Sequence, residues 1–154
     1  MSKLQRLWFG GSAAEKHHEF FGKILFMGGV KPRADDYWEN EQYVIELQKP
    51  ITVLITAGLD GPDAAQITFY KQCTADLDQL FQKCWPIFEP DFQMWTKKKF
   101  SGKWQDDFEL ISLEIPLNGD ADNPWSVCYF VEATNHYFSA CFENNIAAYN
   151  LIDG

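Results

Sequence analysis

Thr74-Ala75-Asp76-Leu77-Asp78-Gln79-Leu80-Phe81-Gln82-Lys83-Cys84-Trp85-Pro86-Ile87-Phe88 decides the fold class. Leu77, Leu80, Phe81, Cys84 and Phe88 recur at helical spacing, so a helix here carries one apolar face that another element has to cover. Thr74 is a good N-cap, and Asp76 and Asp78 fall in the first turn, where negative charge is stabilised. Pro86 and Pro90 predict an end or a kink.

On both sides of this helix the pattern changes to that of strands. Upstream, Tyr43-Val44-Ile45-Glu46-Leu47 places Tyr43, Ile45 and Leu47 on one face, and Ile51-Thr52-Val53-Leu54-Ile55-Thr56 is β-branched and almost wholly apolar. Lys49-Pro50 separates the two runs, which read as a short antiparallel pair. Gly58-Leu59-Asp60-Gly61-Pro62 closes the second run, and Pro62 followed by Asp63-Ala64-Ala65 is a helix start. Ile67-Thr68-Phe69-Tyr70 pulls the other way, toward strand. Nearer the N-terminus, Ser12 with Glu15 is a capping-box pattern that predicts a short helix near 13–18. Phe20 to Phe26 predicts a strand near 20–27, ended by Gly28-Gly29, with Pro32 in a loop.

Downstream, Trp95 to Trp104, with Lys97-Lys98-Lys99 inside it, reads as an exposed connection or as a hairpin tip bending at Ser101-Gly102. Leu110 to Leu117 puts Ile111, Leu113, Ile115 and Leu117 on one face of a strand. Residues 118–124 are a dense loop signal, and Trp125 to Val131 is apolar on both faces, as a central strand is. Asn135-His136 and Asn144-Asn145 fit tight hairpin turns. Phe138, Ala140 and Phe142 share a face between them, and Ile146 to Ile152 is the last strand. The expected architecture is a single α+β domain over residues 1–154: an antiparallel sheet of about six strands packed against a helical layer formed by the middle of the chain, residues 62–94.

Composition excludes several function classes. Apolar residues make up 46% of the 154, enough for a core and against wholesale disorder. No apolar run is long enough to span a membrane. The first residues lack a signal-peptide pattern, so a cytoplasmic location is expected. Thirteen basic against 22 acidic residues give a net charge of -9, which opposes nucleic-acid binding. Lys97–Lys99 between Trp95 and Trp104 is a small basic-aromatic cluster that a solvated connection explains without a partner.

No catalytic motif is present. Cys73, Cys84, Cys128 and Cys141 form no CxxC pair and read as reduced, buried thiols. His17-His18-Glu19 lacks the i,i+4 spacing of a zinc helix, and His136 stands alone, so neither a metal nor a cofactor is expected. Asp35-Asp36 and Asp106-Asp107 are adjacent acids, which are ordinarily solvated, and no P-loop or GxGxxG occurs.

Phe21-Gly22, Trp38, Gly61-Pro62 with Ala65-Gln66, Trp125, His136 and Asp153-Gly154 stand in an order that resembles small bacterial domain families of unknown function. The resemblance spans about residues 20–154. It implies a helix after Pro62 and an α+β domain, and it supplies no activity. In general character the chain resembles immunity proteins of bacterial toxin systems.

The charge distribution carries the functional expectation. Residues 1–103 hold acids and bases in equal number, whereas residues 104–154 hold nine acids and no Lys or Arg. Either lysines and arginines from the rest of the chain fold over these acids, or they form a negative face for a basic partner. The candidate partner-binding residues are Asp106, Asp107, Asp120 and Asp122, in the expected loops, and Trp125, which reads as an aromatic anchor or equally as a core Trp. The expected protein is a non-catalytic binding protein, monomeric or dimeric, whose partner is a basic protein such as a toxin. The competing class is a small-molecule-binding or enzymatic domain with an aromatic pocket.

Overall fold

A computed structural model describes residues 15–28 and 36–154. Its eight strands are β1 (Glu15–His18), β2 (Gly22–Met27), β3 (Tyr37–Val44), β4 (Lys49–Thr56), β5 (Glu109–Ile115), β6 (Trp125–Val131), β7 (His136–Glu143) and β8 (Ile146–Asp153). Between β4 and β5 lie the helices α1 (Ala64–Ala75), α2 (Leu77–Thr96) and the single turn α3 (Trp104–Asp107). The strands form one sheet in sequence order, β1 to β8. Every neighbouring pair is antiparallel except β4 and β5, which run parallel because the helices intervene as a crossover. The α+β class and the helical layer match the expectation. The sheet is larger than the six strands expected, and it is mixed rather than purely antiparallel.

The helices cover one face of the sheet. Phe69 of α1 and Leu80, Phe81, Cys84, Phe88 and Phe92 of α2 are buried against Ile24, Phe26, Val53, Ile55, Leu113, Ile115, Val127, Tyr129 and Phe138. Period-2 alternation then fixes what each strand turns to the other side. In β6, Trp125, Val127, Tyr129 and Val131 face the helices, and Ser126, Cys128 and Phe130 face away.

Several local expectations need correction. The helix predicted near 13–18 is strand β1 over Glu15–His18. Its turn is closed by His18, whose Nδ1 accepts the N–H groups of Phe20 and Phe21 at 3.1 and 3.2 Å, and by Gly22 at φ 76°. Ser12, Ala13 and Pro32 lie outside the described residues. The strand predicted from Tyr43 starts earlier, at Tyr37, and residues 45–47 are a 3₁₀ turn with Ile45 78% exposed. Thr74 is not a cap: its hydroxyl donates to the Tyr70 carbonyl inside α1, and Asp76 caps α2 by accepting from Gln79 N–H at 3.0 Å.

Helix α2 also runs unbroken through Pro86 and Pro90. Both prolines sit on its exposed side, where a helix wrapped on a core is convex and the freed carbonyls meet water. The Trp95–Trp104 segment is a connection between helices, not a hairpin. A register shift between Leu110 and Ser112 puts Leu110, Leu113 and Ile115 on the helix side and leaves Ile111 half-buried. Leu117 lies beyond the strand in a 3₁₀ turn and is exposed. The Asn turns hold as expected, with Asn135, Asn144 and Asn145 all at positive φ.

The polar joint between helix and sheet is Gln66. It completes a capping box with Asp63 at the start of α1, and its Nε2 donates to the carbonyls of Thr56 at 2.7 Å and Pro116 at 3.0 Å. Gly119, at φ 65°, lets the loop after β5 approach this helix start, where a Cβ would strike the Ala65 carbonyl. Gln66 is 1% exposed, so Gln66→Ala leaves one buried and one half-buried carbonyl without their donor. The variant should lose about 1–3 kcal/mol in a denaturant melt. A loss within surface-mutation scatter, about 0.5 kcal/mol, would show that water replaces the amide.

Candidate binding surface

The single turn α3 sets two acids at the mouth of a cavity. Trp104 anchors the turn by burying its ring and donating its Nε1–H to Asp78 at 2.7 Å. Phe108, also buried, anchors the other side. Asp106 and Asp107 between these anchors therefore point to the cavity, which has a volume of about 730 Å³ and also carries Glu109 and Glu132 on its walls. Four of the nine acids of residues 104–154 thus converge there. Leu47, Leu110 and Phe130 supply apolar wall.

The lysine in this cavity is already engaged. Lys49 Nζ lies 2.7 Å from Glu109 Oε1 and donates to the Leu110 carbonyl at 2.7 Å. Lys103 reaches Asp106 only at 4.0 Å, with both side chains largely exposed. Asp107 accepts a hydrogen bond from Ser101 Oγ at 3.2 Å. Among the described residues no cation lies within ion-pair distance of Asp107 or Glu132. Among the described residues, lysines therefore come within ion-pair distance of two of the nine acids.

A second acidic region continues from the cavity wall. The sheet face turned away from the helices has no element packed on it among the described residues. A transverse row of partners runs across it as Glu15, Leu25, Glu39, Leu54, Glu114, Ser126, Cys141 and Tyr149. Parallel rows add Glu41, Thr52, Ser112, Cys128, Ser139 and Leu151, and Glu109, Phe130, Tyr137 and Asp153. Lys23 pairs with Glu15 at 3.6 Å. Glu39, Glu41, Glu114 and Asp153 share the face with no described cation at ion-pair distance.

Glu114 sits mid-sheet, and burial raises its carboxyl pKa above the ordinary value. The folded protein then holds a proton that the unfolded chain has already released, so stability falls as pH rises through that interval. Glu114→Gln removes the penalty. It should be more stable than wild type at about pH 7, and the gain should vanish near about pH 4, where an unfolded Glu is itself half protonated. Melts at both pH values check this, and an equal gain at both would assign the effect to packing.

The sequence-predicted residues do not form one patch. Asp106 and Asp107 precede β5, whereas Asp120 and Asp122 follow it, so a strand of roughly 20 Å lies between them. Asp120 is occupied in its own loop, accepting the Asp122 N–H at 3.0 Å. Trp125 is 2% exposed and stacks on Phe142 with centroids 3.9 Å apart, with Phe69 edge-on at 5.0 Å. It is a core Trp, and the anchor reading is corrected.

The other chemical candidates resolve into local roles. His136 Nδ1 lies 2.6 Å from the Thr134 carbonyl, and its ring meets Trp95 at 4.6 Å. No three His, Cys, Asp or Glu side chains among the described residues are placed to hold a metal ion. All four cysteines are free, and burial pushes the Cys73 thiol up to about 11. No described helix is long and apolar enough to cross a membrane.

Sequence reading missed Glu39, Glu41, Glu114 and Glu132. Glu39 and Glu41 lie in the charge-balanced part of the chain, and the signal for them was the alternation Tyr37, Glu39, Glu41, Tyr43 within β3. Comparison of the chain with protein-family models, with curated proteins and with solved structures finds no match.

Proposed function

We propose that this chain is a non-catalytic binding protein that receives a basic protein partner, such as a toxin it neutralises as an immunity protein, at the acidic cavity beside α3. The supporting observation is the convergence of Asp106, Asp107, Glu109 and Glu132 on one cavity whose lysine is already paired. Converging solvent-accessible carboxylates, of which Asp107 and Glu132 have no described cation at ion-pair distance, favour a partner's lysine or arginine, and the wider field of the protein steers the encounter. The apolar wall of Phe130 and Leu47 accommodates the aliphatic stem of such a side chain. Cytoplasmic action and the absence of catalysis belong to this same reading.

The pocket alternative rests on a cavity of about 520 Å³ lined by Phe81, Trp85, Phe100 and Trp104. Its carboxylate, Asp78, is taken by the Trp104 N–H, so fewer convergent polar groups remain for a ligand than such sites ordinarily offer.

The test is affinity capture from the source cells, followed by association kinetics of the captured protein across a salt series. A basic partner whose association slows as salt rises supports the reading. An acidic partner, or association indifferent to salt, overturns it and brings the aromatic pocket forward.

A further inference from the structure

The two edges of the sheet are built differently. Strand β1 is four residues long, reads Glu15-Lys16-His17-His18, and so has the shortness and charge with which natural sheets blunt an edge. Strand β8 is eight residues long, reads Ile146-Ala147-Ala148-Tyr149-Asn150-Leu151-Ile152-Asp153, and contains no Lys, Arg or Pro and one acid, at its end. Among the described residues it pairs with β7 on one side only. Its other side presents a row of backbone donors and acceptors that no described strand meets.

Apolar exposure concentrates at the same place. Ten large apolar side chains are exposed among the described residues, and four of them (Tyr137, Ile146, Tyr149 and Leu151) belong to the β7–β8 hairpin. Contiguous exposed apolar surface on a soluble domain marks an interaction site.

We infer that β8 is a homodimer interface, in which two copies join their β8 strands antiparallel about a two-fold axis into one sixteen-stranded sheet. The argument for a second copy is that β8 is complementary to itself. Placing the axis at Asn150 sets Tyr149 of each chain opposite Leu151 of the other. Both side chains lie on the face away from the helices, and aromatic–aliphatic cross-strand pairs are stabilising. Each Asp153 then falls beside the Ile146–Ala147 end of the second copy, where the bulge at Ala148 shifts the register. The two Asp153 carboxylates lie roughly 20 Å apart along the strands, beyond the Debye length of about 8 Å, so the single charge on the strand does not oppose pairing. The arrangement is isologous and closes on itself. It also brings the two open acidic faces to the same side of one continuous sheet.

This inference does not rest on the basic-partner reading, and salt separates the two. Copies that each carry -9 repel, so dimerisation strengthens as salt screens them, whereas association with a basic partner weakens. Sedimentation velocity of the full chain over about 1–100 µM, in the affinity range of ordinary dimers, should reach twice the monomer mass of 17.8 kDa. The midpoint should move to lower concentration between about 0.1 and 1 M salt, where the Debye length falls from about 10 to 3 Å. Leu151→Lys and, separately, Tyr149→Lys should weaken the dimer by about tenfold or more, because an edge lysine obstructs pairing. His17→Lys on the opposite edge should leave it unchanged. Circular dichroism establishes that each variant is folded. Concentration-dependent amide exchange of β8 in the wild type gives an independent readout should either lysine variant unfold. A wild-type chain that stays monomeric throughout, a dimer insensitive to both lysine variants, or one abolished by His17→Lys overturns the assignment.

Discussion

Phe88→Ala should cost about 3–5 kcal/mol of folding free energy, the range for truncating a buried aromatic side chain. Phe88 is 0% exposed and holds the middle of α2 to the sheet. Its ring stacks on Phe108 at 5.6 Å and meets Tyr129 and Phe138 edge-on at 5.7 Å each, with Phe81 at 6.3 Å. These partners come from α2, the start of β5, β6 and β7, so the cavity left by alanine opens between four segments and no single side chain can fill it. Domains of this size are stable by about 5–15 kcal/mol, so the loss is a large fraction of the total. Leu80→Ala, about two turns nearer the helix start and 3% exposed, should cost about 2–5 kcal/mol. Denaturant melts with unchanged slopes check both. A loss under about 0.5 kcal/mol for either would contradict the packing of α2 on the sheet.

The apolar face of α2 was legible because helical periodicity, caps and burial all point the same way: Leu77, Leu80, Phe81, Cys84 and Phe88 are all buried. The last three strands were legible for a similar reason, since Asn at positive φ punctuates a clean alternation. The errors fall where a side-chain contact or a placement on the surface, and not periodicity, decides the local structure. His18 turns Glu15–His18 into a hairpin arm by binding two backbone N–H groups beyond it, an event no periodicity records. Prolines 86 and 90 disfavour a helix locally, yet both sit on the exposed side of a helix whose other face is buried against the sheet. Strand β3 escaped in part because Trp38, Asn40, Gln42 and Val44 do not read as a buried face until Asn40 and Gln42 are seen donating to the Phe21 carbonyl.

The candidate site was half legible for the same physical reason. Counting charge along the chain marks residues 104–154, and two of the four loop aspartates it singles out line the cavity. A linear count carries no information on which strand end a loop occupies. It therefore joined Asp106 and Asp107 to Asp120 and Asp122, which a full strand separates. Glu132 was passed over because it follows β6, and only the antiparallel pairing of β5 with β6 brings that strand end back to the turn before β5.

That separation supplies the sharpest functional test. Reversing the cavity charges with Asp106→Lys and Asp107→Lys should slow association with a basic partner by about 10–1000-fold at low salt, the range over which steering operates. Asp120→Lys and Asp122→Lys alter net charge by the same amount at the opposite end of β5. They should have a smaller effect, because at physiological ionic strength the field fades over a Debye length of about 8 Å, shorter than the strand between them. Glu132→Gln removes a cavity carboxylate without adding repulsion, so it should act mainly by speeding dissociation. None of these side chains is buried in the core, so circular dichroism should show all variants folded. The measurement is stopped-flow association and dissociation of each variant with the captured partner at two salt concentrations. Equal slowing by the two reversal pairs would mean that net charge alone governs encounter and that the cavity has no special part in it. Greater slowing by the Asp120 and Asp122 pair would move the binding site to the other end of the sheet.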